Sequence, residues 1–263
     1  MIGTGFVAGT ITFSVVDGPG NRFAIFLQGC NFDCVACHNP QTIPHAEGTH
    51  FETSIDDLLV KIRKAAPFLS GITVSGGEAT QQAEFVHSLF TAVKADPQLG
   101  RLTCFVDSNG ACPPSTWATL GPVMDGAMID LKCLDPDIHL SMTAQPNDEV
   151  LASIRQLHVM GKLYEVRLLL LAGVNDDPAL LRRTGEWLAA IDPHMRLKVI
   201  GFRAHGARPH DPPLVEPTPD QREAVAELLA ATPGATFDIC LIYTPTLGGA
   251  RLCGCDLAHW RPR

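Results

Sequence analysis

Short apolar runs alternate with amphipathic stretches along most of the chain. RFAIFLQ (22–28), GITVSG (71–76), LTCFVDS (102–108), GAMIDLK (126–132), YEVRLLLL (164–171) and MRLKVIG (195–201) are rich in aliphatic, aromatic and β-branched residues. They read as buried strands. Between them the period changes. Ile55, Leu58, Leu59 and Ile62 fall on one face of a helix, behind a capping signature of Ser54 and Asp57. Val86, Leu89, Phe90 and Val93 repeat the pattern, as do Val150, Ile154 and Leu157, with Gly161 as a stop. Asp177-Pro178 and Thr218-Pro219 place a cap before a proline in the first helical turn.

Strand and helix in strict alternation predict an α/β fold, with parallel strands joined by right-handed crossovers. Periodicity leaves two closures open, a doubly wound sheet and a barrel or partial barrel. In both, ligands gather at the carboxyl ends of the strands. There the first strand runs into Cys30, the second into Gly76-Gly77-Glu78, the third into Asp107-Ser108-Asn109-Gly110 and the fourth into Asp130-Leu131-Lys132. One rim collects the polar residues, as a single active site requires. The loop FRAHGARPHDPPLVEP (202–217) follows the sixth strand and reads equally as a lid over that rim or as a solvated connection.

Composition narrows the class. A chain of 263 residues with 46% apolar and 18% charged residues folds, and its length suits one domain. We divide it as a single domain, 1–263, with an N-terminal extension (1–20) and a C-terminal extension (232–263). The net charge of −8 disfavours nucleic acid as a partner. No apolar run approaches a membrane span, and the N-terminus lacks signal-peptide features. The expected location is therefore cytoplasmic. In a reducing compartment, clustered cysteines point to metal or redox chemistry. The scattered Cys104, Cys112, Cys133 and Cys240 read as small core residues.

QGCNFDCVACHNP (28–40) holds the clustered ones, Cys30, Cys34 and Cys37, in a C-x3-C-x2-C spacing. A zinc site using these and His38 is awkward, because adjacent residues 37 and 38 would ligate one ion and no second pair is near. An iron–sulfur cube fits better. Three thiolates close three irons and leave one open, which favours a substrate that binds iron over a plain electron carrier.

C-x3-C-x2-C leaving the first strand, joined to DGPG (17–20), CHNP (37–40) and SGGEA (75–79) in that order, resembles the radical S-adenosylmethionine (SAM) enzymes. TCFVDSNG (103–110), MIDLK (128–132) and YEVRLLLLAGVND (164–176) extend the resemblance to the glycyl-radical-enzyme activases of the pyruvate formate-lyase type. VSGGEAT, LTCFVDSNG and GFRAHG are most similar to the YjjW-type activases. The resemblance implies a partial (β/α)6 barrel of the radical SAM type. It implies one [4Fe–4S] cluster on Cys30, Cys34 and Cys37, with SAM chelating the unique iron. It implies a 5′-deoxyadenosyl radical that takes the α-hydrogen from a glycine of a partner glycyl-radical enzyme. A flavodoxin or ferredoxin as electron donor, a monomeric state and a monovalent cation near SAM are family expectations.

Carried over residue by residue, SAM is expected to meet Ala36, His38, Asn39, Gly76, Gly77, Glu78, Asp107, Asp130, Leu131, Lys132, Arg167 and Arg203. Gly76 and Gly77 allow close backbone approach, and Lys132 and Arg167 are cations suited to the SAM carboxylate. Asp17 is expected to meet the substrate peptide, with Arg22 in support. Three features depart from the family. Ala36 stands where an aromatic residue often stacks on adenine, and Arg203, with His205 nearby, stands where a histidine is common. Residues 38 to 70 lack the cysteines of extra clusters. Cys253, Cys255 and His259 have no family explanation; a metal site or thiol pair is an open reading. The alternatives are a radical SAM enzyme with a small-molecule substrate, and a non-catalytic iron–sulfur electron-transfer protein.

Overall fold

The computed structural model describes residues 3–45 and 52–242. In chain order the elements are β1 (Thr4–Ser14), β2 (Arg22–Leu27), β3 (Glu52–Ser54), α1 (Ile55–Ala65), β4 (Gly71–Gly76), α2 (Ala83–Ala95), β5 (Thr103–Ser108) and α3 (Pro114–Leu120). They continue as β6 (Gly126–Leu131), α4 (Pro136–Thr143), α5 (Asp148–Val159), β7 (Leu163–Leu170), α6 (Pro178–Ala189), β8 (Arg196–Gly201), α7 (Pro219–Ala230) and β9 (Asp238–Ile242).

All six predicted strands form, and they pair in parallel in the order β2-β4-β5-β6-β7-β8. Three further strands complete a nine-stranded sheet. β1 pairs antiparallel with β2, β3 with β1, and β9 joins β8 in parallel. The order runs from β3 to β9 without closing, so the barrel is partial. Parts of both predicted extensions thus belong to the sheet. Cys253, Cys255 and His259 lie outside the described residues.

The helices form where the caps predict them. Ser54 accepts from the Asp57 N–H, Asp177 from Leu180, and Thr218 from Gln221 in a full capping box; each cap stabilises by about 1 kcal/mol. The predicted apolar faces are buried, including Ile55, Leu58 and Ile62 on α1, Val86, Leu89 and Phe90 on α2, and Val150, Ile154 and Leu157 on α5. They cover the outside of the sheet. Cys104, Cys112 and Cys133 are buried free thiols. Cys240 is also buried but disulfide-bonded, so it is not the plain packing thiol expected.

The inside of the curve mixes polar residues with a small buried cluster of Phe105, Met128 and Tyr164. At its floor Arg22 is wholly buried. Its guanidinium donates to Thr73 Oγ1 (2.7 Å), Thr103 Oγ1 (2.8 Å), Pro19 O (3.1 Å), Thr103 O (3.0 Å) and Ile72 O. It also lies 4.6 Å over the Phe105 ring. Among the described residues no carboxylate pairs with it, and burial lowers its pKa to about 10, still charged at neutral pH.

Candidate active site

The loop after β2 is held by backbone bonds from two directions and by side-chain bonds from a third. Gly29 and Cys30 donate to Thr42 O (2.8 Å) and Ile43 O (3.0 Å). Asp33 and Val35 donate to Thr143 O and Met142 O, both at 3.0 Å, at the end of α4. The 202–217 loop presses on it from outside. His38 Nε2 meets Arg203 O at 2.7 Å, and Arg208 donates to Asp33 Oδ1 (2.5 Å) and Cys34 O (3.0 Å). The loop is solvated over most of its length, with 204–206, 208–213, 215 and 216 exposed, and these bonds strap it to the cysteine segment.

Glu78 joins this segment to the neighbouring strand ends. Its carboxylate is buried and accepts from the Thr80 N–H, the Thr80 and Ser108 hydroxyls and the Asn109 N–H, all within 2.7 to 2.8 Å. Burial nevertheless raises its pKa, outweighing those four bonds. Gly77 donates to Leu27 O and Glu78 to Gly29 O, both at 2.8 Å. A Cβ on Gly76, whose φ is +120°, would sit 2.0 Å from Leu27 N, and one on Gly77 would sit 2.2 Å from Gly29 O. Glycine is required here first for packing the two loops together.

Below the rim, the predicted cations already have carboxylate partners. Arg167 Nη1 lies 2.8 and 2.9 Å from the two Asp107 oxygens, and its Nε is 2.9 Å from Glu165. Lys132 Nζ is 2.7 Å from Asp130. Burial works to lower both pKa values, but for Arg167 the charges of Asp107, Glu165 and Asp130 win. For Lys132, Asp130, Cys34 and Asp107 together win. Both groups stay protonated. Asp107 behaves oppositely. Burial raises it to about 6 despite Arg167.

These elements enclose one cleft of about 290 Å3. Of the predicted residues, Cys30, Cys34, Cys37, Ala36, His38, Asn39, Gly76, Gly77, Glu78, Asp107, Asp130, Lys132 and Arg167 line it, with Asp17 on the far side. Three do not. Leu131 is buried in the apolar core, because alternation along β6 turns it away from Asp130. Arg203 pairs with Glu216 at 3.1 Å on the strap. Arg22 forms the floor and meets no ligand space; it supports the Asp17 loop through Pro19 O and through Thr73, whose hydroxyl also donates to Asp17 O at 2.6 Å. Ser108 and Asn109, expected at the rim but given no role, also line the cleft, as do Ser75, Leu169 and Ile200, which were not expected there. Their positions at strand ends, or two residues from a predicted one on the same strand face, were the available signal.

The sequence pattern of the radical SAM superfamily matches residues 24–183. The chain belongs to the radical SAM superfamily. It is 32% identical over 233 residues to the pyruvate formate-lyase-activating enzyme of Staphylococcus epidermidis, covering 82% of this chain and 90% of that protein. Its identity to the enzyme of that name from Streptococcus mutans is 33% over 208 residues, covering 77% and 79%. Among solved structures, a domain of pyruvate-formate lyase-activating enzyme from Bacteroides vulgatus aligns with a TM-score of 0.54 at 23% identity, covering 65% of this chain and 99% of that one. A radical SAM methyltransferase from Sphaerobacter thermophilus aligns with a TM-score of 0.65 at 16% identity, covering 84% and 66%. These two likenesses carry the partial-barrel fold.

Radical SAM enzymes work with a [4Fe–4S] cluster and SAM, which are this enzyme's cofactors. The residues fit them. Three thiols line one cleft, and among the described residues no other cysteine does. Among the described residues no three His, Cys, Asp or Glu side chains converge closely enough to hold a single metal ion. A cube, whose cysteines each meet a different iron, needs no such convergence. Burial pushes the Cys30 thiol up to about 12 and raises Cys34, so metal binding must displace their protons. Four carboxylates (Asp17, Glu78, Asp107, Asp130) face two cations (Lys132, Arg167) across the cleft. That excess suits SAM, which carries a sulfonium and an ammonium against one carboxylate. No helix among the described residues is long and apolar enough to cross a membrane.

Proposed function

We propose that this radical SAM enzyme is a glycyl-radical-enzyme activase. The observation that carries the reading is one cleft lined at its rim by the three cysteines and reached from the other end by Asp17 of the Asp17-Gly18-Pro19-Gly20 turn. The named relatives, matched over most of their length, support it. When bound, the cluster and SAM supply a 5′-deoxyadenosyl radical able to take hydrogen from an unactivated carbon.

The chain's own residues would hold and screen that chemistry. Cys30, Cys34 and Cys37 ligate the cluster. An ammonium needs acceptors, so the carbonyls of Gly76 and Gly77, and not their N–H groups, would meet the SAM amino group. Lys132 and Arg167, oriented by Asp130, Asp107 and Glu165, would meet its carboxylate. Asp107 and Asp130 are also the candidate acceptors for a monovalent cation. With Ala36 too small to stack, Leu169 and Ile200 offer the apolar wall for adenine. Asp17 would receive backbone N–H groups beside the target glycine of the partner protein. A cytoplasmic flavodoxin or ferredoxin would provide the electron.

The test is anaerobic reconstitution with iron and sulfide, then dithionite and SAM with a candidate glycyl-radical enzyme. Release of 5′-deoxyadenosine and a glycine-centred doublet in the electron paramagnetic resonance spectrum of the partner are expected. SAM cleavage without a radical on any such partner would favour a small-molecule substrate. No cleavage by a fully loaded protein would overturn the reading.

A further inference from the structure

Asn109 stands beyond every role assigned above, and its side chain faces a cluster ligand. It is buried at the end of β5. Its Nδ2 lies 3.9 Å from Cys30 Sγ and 2.8 Å from Asn31 Oδ1. Its orientation is fixed twice. The Asn109 oxygen accepts from the Ala111 N–H at 2.9 Å, so the amide nitrogen must face Cys30 and Asn31. Asn31 in turn donates its own Nδ2 to Ala111 O at 2.8 Å, which turns its oxygen toward Asn109. The backbone beneath is fixed as well, since the Asn109 N–H donates to Glu78 Oε2 at 2.7 Å. The Phe32 N–H, 3.4 Å from Cys30 Sγ, is a second donor to the same sulfur. Among the described residues, no hydrogen bond reaches the sulfur of Cys34 or Cys37.

We infer that Asn109 is a positioning residue that sets the reduction potential of the cluster through an N–H···S bond to Cys30, with Asn31 holding its carboxamide in place. An N–H aimed at a ligating thiolate draws electron density from the sulfur. It therefore favours the reduced cluster, which carries one more negative charge, and raises the midpoint potential. Removing the donor makes the electron harder to accept. The inference rests on Cys30 being a cluster ligand.

The measurement is the midpoint of the reconstituted cluster without SAM, from the reduced-cluster paramagnetic signal at a series of poised potentials. Asn109→Ala should lower the reduced-to-oxidised ratio at fixed potential about tenfold, a shift of about 59 mV for one electron. Asn109→Asp keeps the acceptor to Ala111 but replaces the donor with an anion, so its midpoint should fall further. Asn31→Ala, which leaves the carboxamide unheld, should fall less. A cluster-loaded Asn109→Asp protein with the wild-type midpoint would overturn the inference. So would equal midpoints in Asn31→Ala and wild type if Asn109→Ala takes up no cluster. Failure of the wild-type protein to assemble any cluster would instead overturn the ligand assignment beneath it.

Discussion

The two ends of the cleft are built on opposite terms. At the carboxyl rim every loop is tied inward. Glu78 gathers four hydrogen bonds, the cysteine segment is pinned by Thr42, Ile43, Met142 and Thr143 carbonyls, and the strap closes over it. At the other end, where β2 and β4 begin, the Asp17 turn is held by fewer bonds: Arg22 and Thr73 anchor its base, Ser14 donates its hydroxyl to the Asp17 carboxylate, and Arg167 reaches Val16 O at 3.5 Å. Its shoulders are apolar and bare. Phe13 is 52%, Val15 68% and Phe68 70% exposed, and with Ile11 and Val16 they make up five of the nine exposed large hydrophobic residues described. Phe13 and Phe68 touch edge to face at 6.1 Å. A rim with its polar groups satisfied suits a small, charged cofactor; a bare apolar shoulder beside the cleft suits a macromolecule. The difference separates where radical chemistry is prepared from where the partner protein would arrive.

Breaking the rim should have the largest effect. Replacing Cys30, Cys34 or Cys37 by Ala should abolish the cluster and all SAM cleavage, read as iron content and 5′-deoxyadenosine release. Cys104→Ala, in the core, should leave both largely intact. Loss of the cluster in the Cys104 variant would show that the ligands are misassigned.

Breaking the other end should split two activities that the rim variants lose together. Asp17→Ala, or Phe13→Asp with Val16→Asp, should cut radical formation on the partner more than tenfold. Dithionite-driven SAM cleavage without partner should stay near the wild-type rate. Equal loss of both would mean that the Asp17 turn belongs to the cofactor site.

Much of this contrast was legible in the sequence, and the exceptions have physical causes. The six central strands were readable because burial on both faces demands an apolar run. β1 and β3 were not, since TGFVAGTITFS carries glycine and threonine at a half-solvated edge and β3 has three residues. Asp17 stood out through the family likeness of the Asp17-Gly18-Pro19-Gly20 turn, the cysteines through their spacing, and Lys132 and Arg167 because cations are rare in or beside apolar strands. Leu131 and Arg203 were carried over by resemblance and do not line the cleft, for different reasons: alternation along β6 turns Leu131 into the core, and Arg203, standing where the family often has a histidine, pairs with Glu216. Asn109 went unassigned because its role lies in the direction of one N–H, which no spacing encodes.

The floor between the two ends should register as stability. Arg22 makes five hydrogen bonds without a counter-charge. Arg22→Met should leave buried carbonyls of Pro19, Ile72 and Thr103 short of donors and lower unfolding stability by about 3–5 kcal/mol, measured by urea denaturation. A loss under about 1 kcal/mol would show that the cation's burial cost cancels its bonds.

The smallest effect is also the sharpest, because its sign decides the argument. Asp107 sits midway along the cleft, where burial and the Arg167 charge oppose each other. Burial prevails and holds its pKa near 6, above the ordinary 3.8. The folded protein therefore keeps this proton longer than the unfolded chain does. Stability from Asp107 is fullest below about pH 4, falls as pH rises to about 6, and is flat above. Urea unfolding of the cluster-free protein across that window, compared with Asp107→Asn, isolates the group because other titrations cancel. The wild type should lose about 2 kcal/mol relative to the variant between pH 4 and pH 6.5. A relative gain with rising pH would mean that the ion pair with Arg167 outweighs burial. The middle of the cleft would then resemble the satisfied rim, and an empty site would hold no stored cost for a bound cation to relieve.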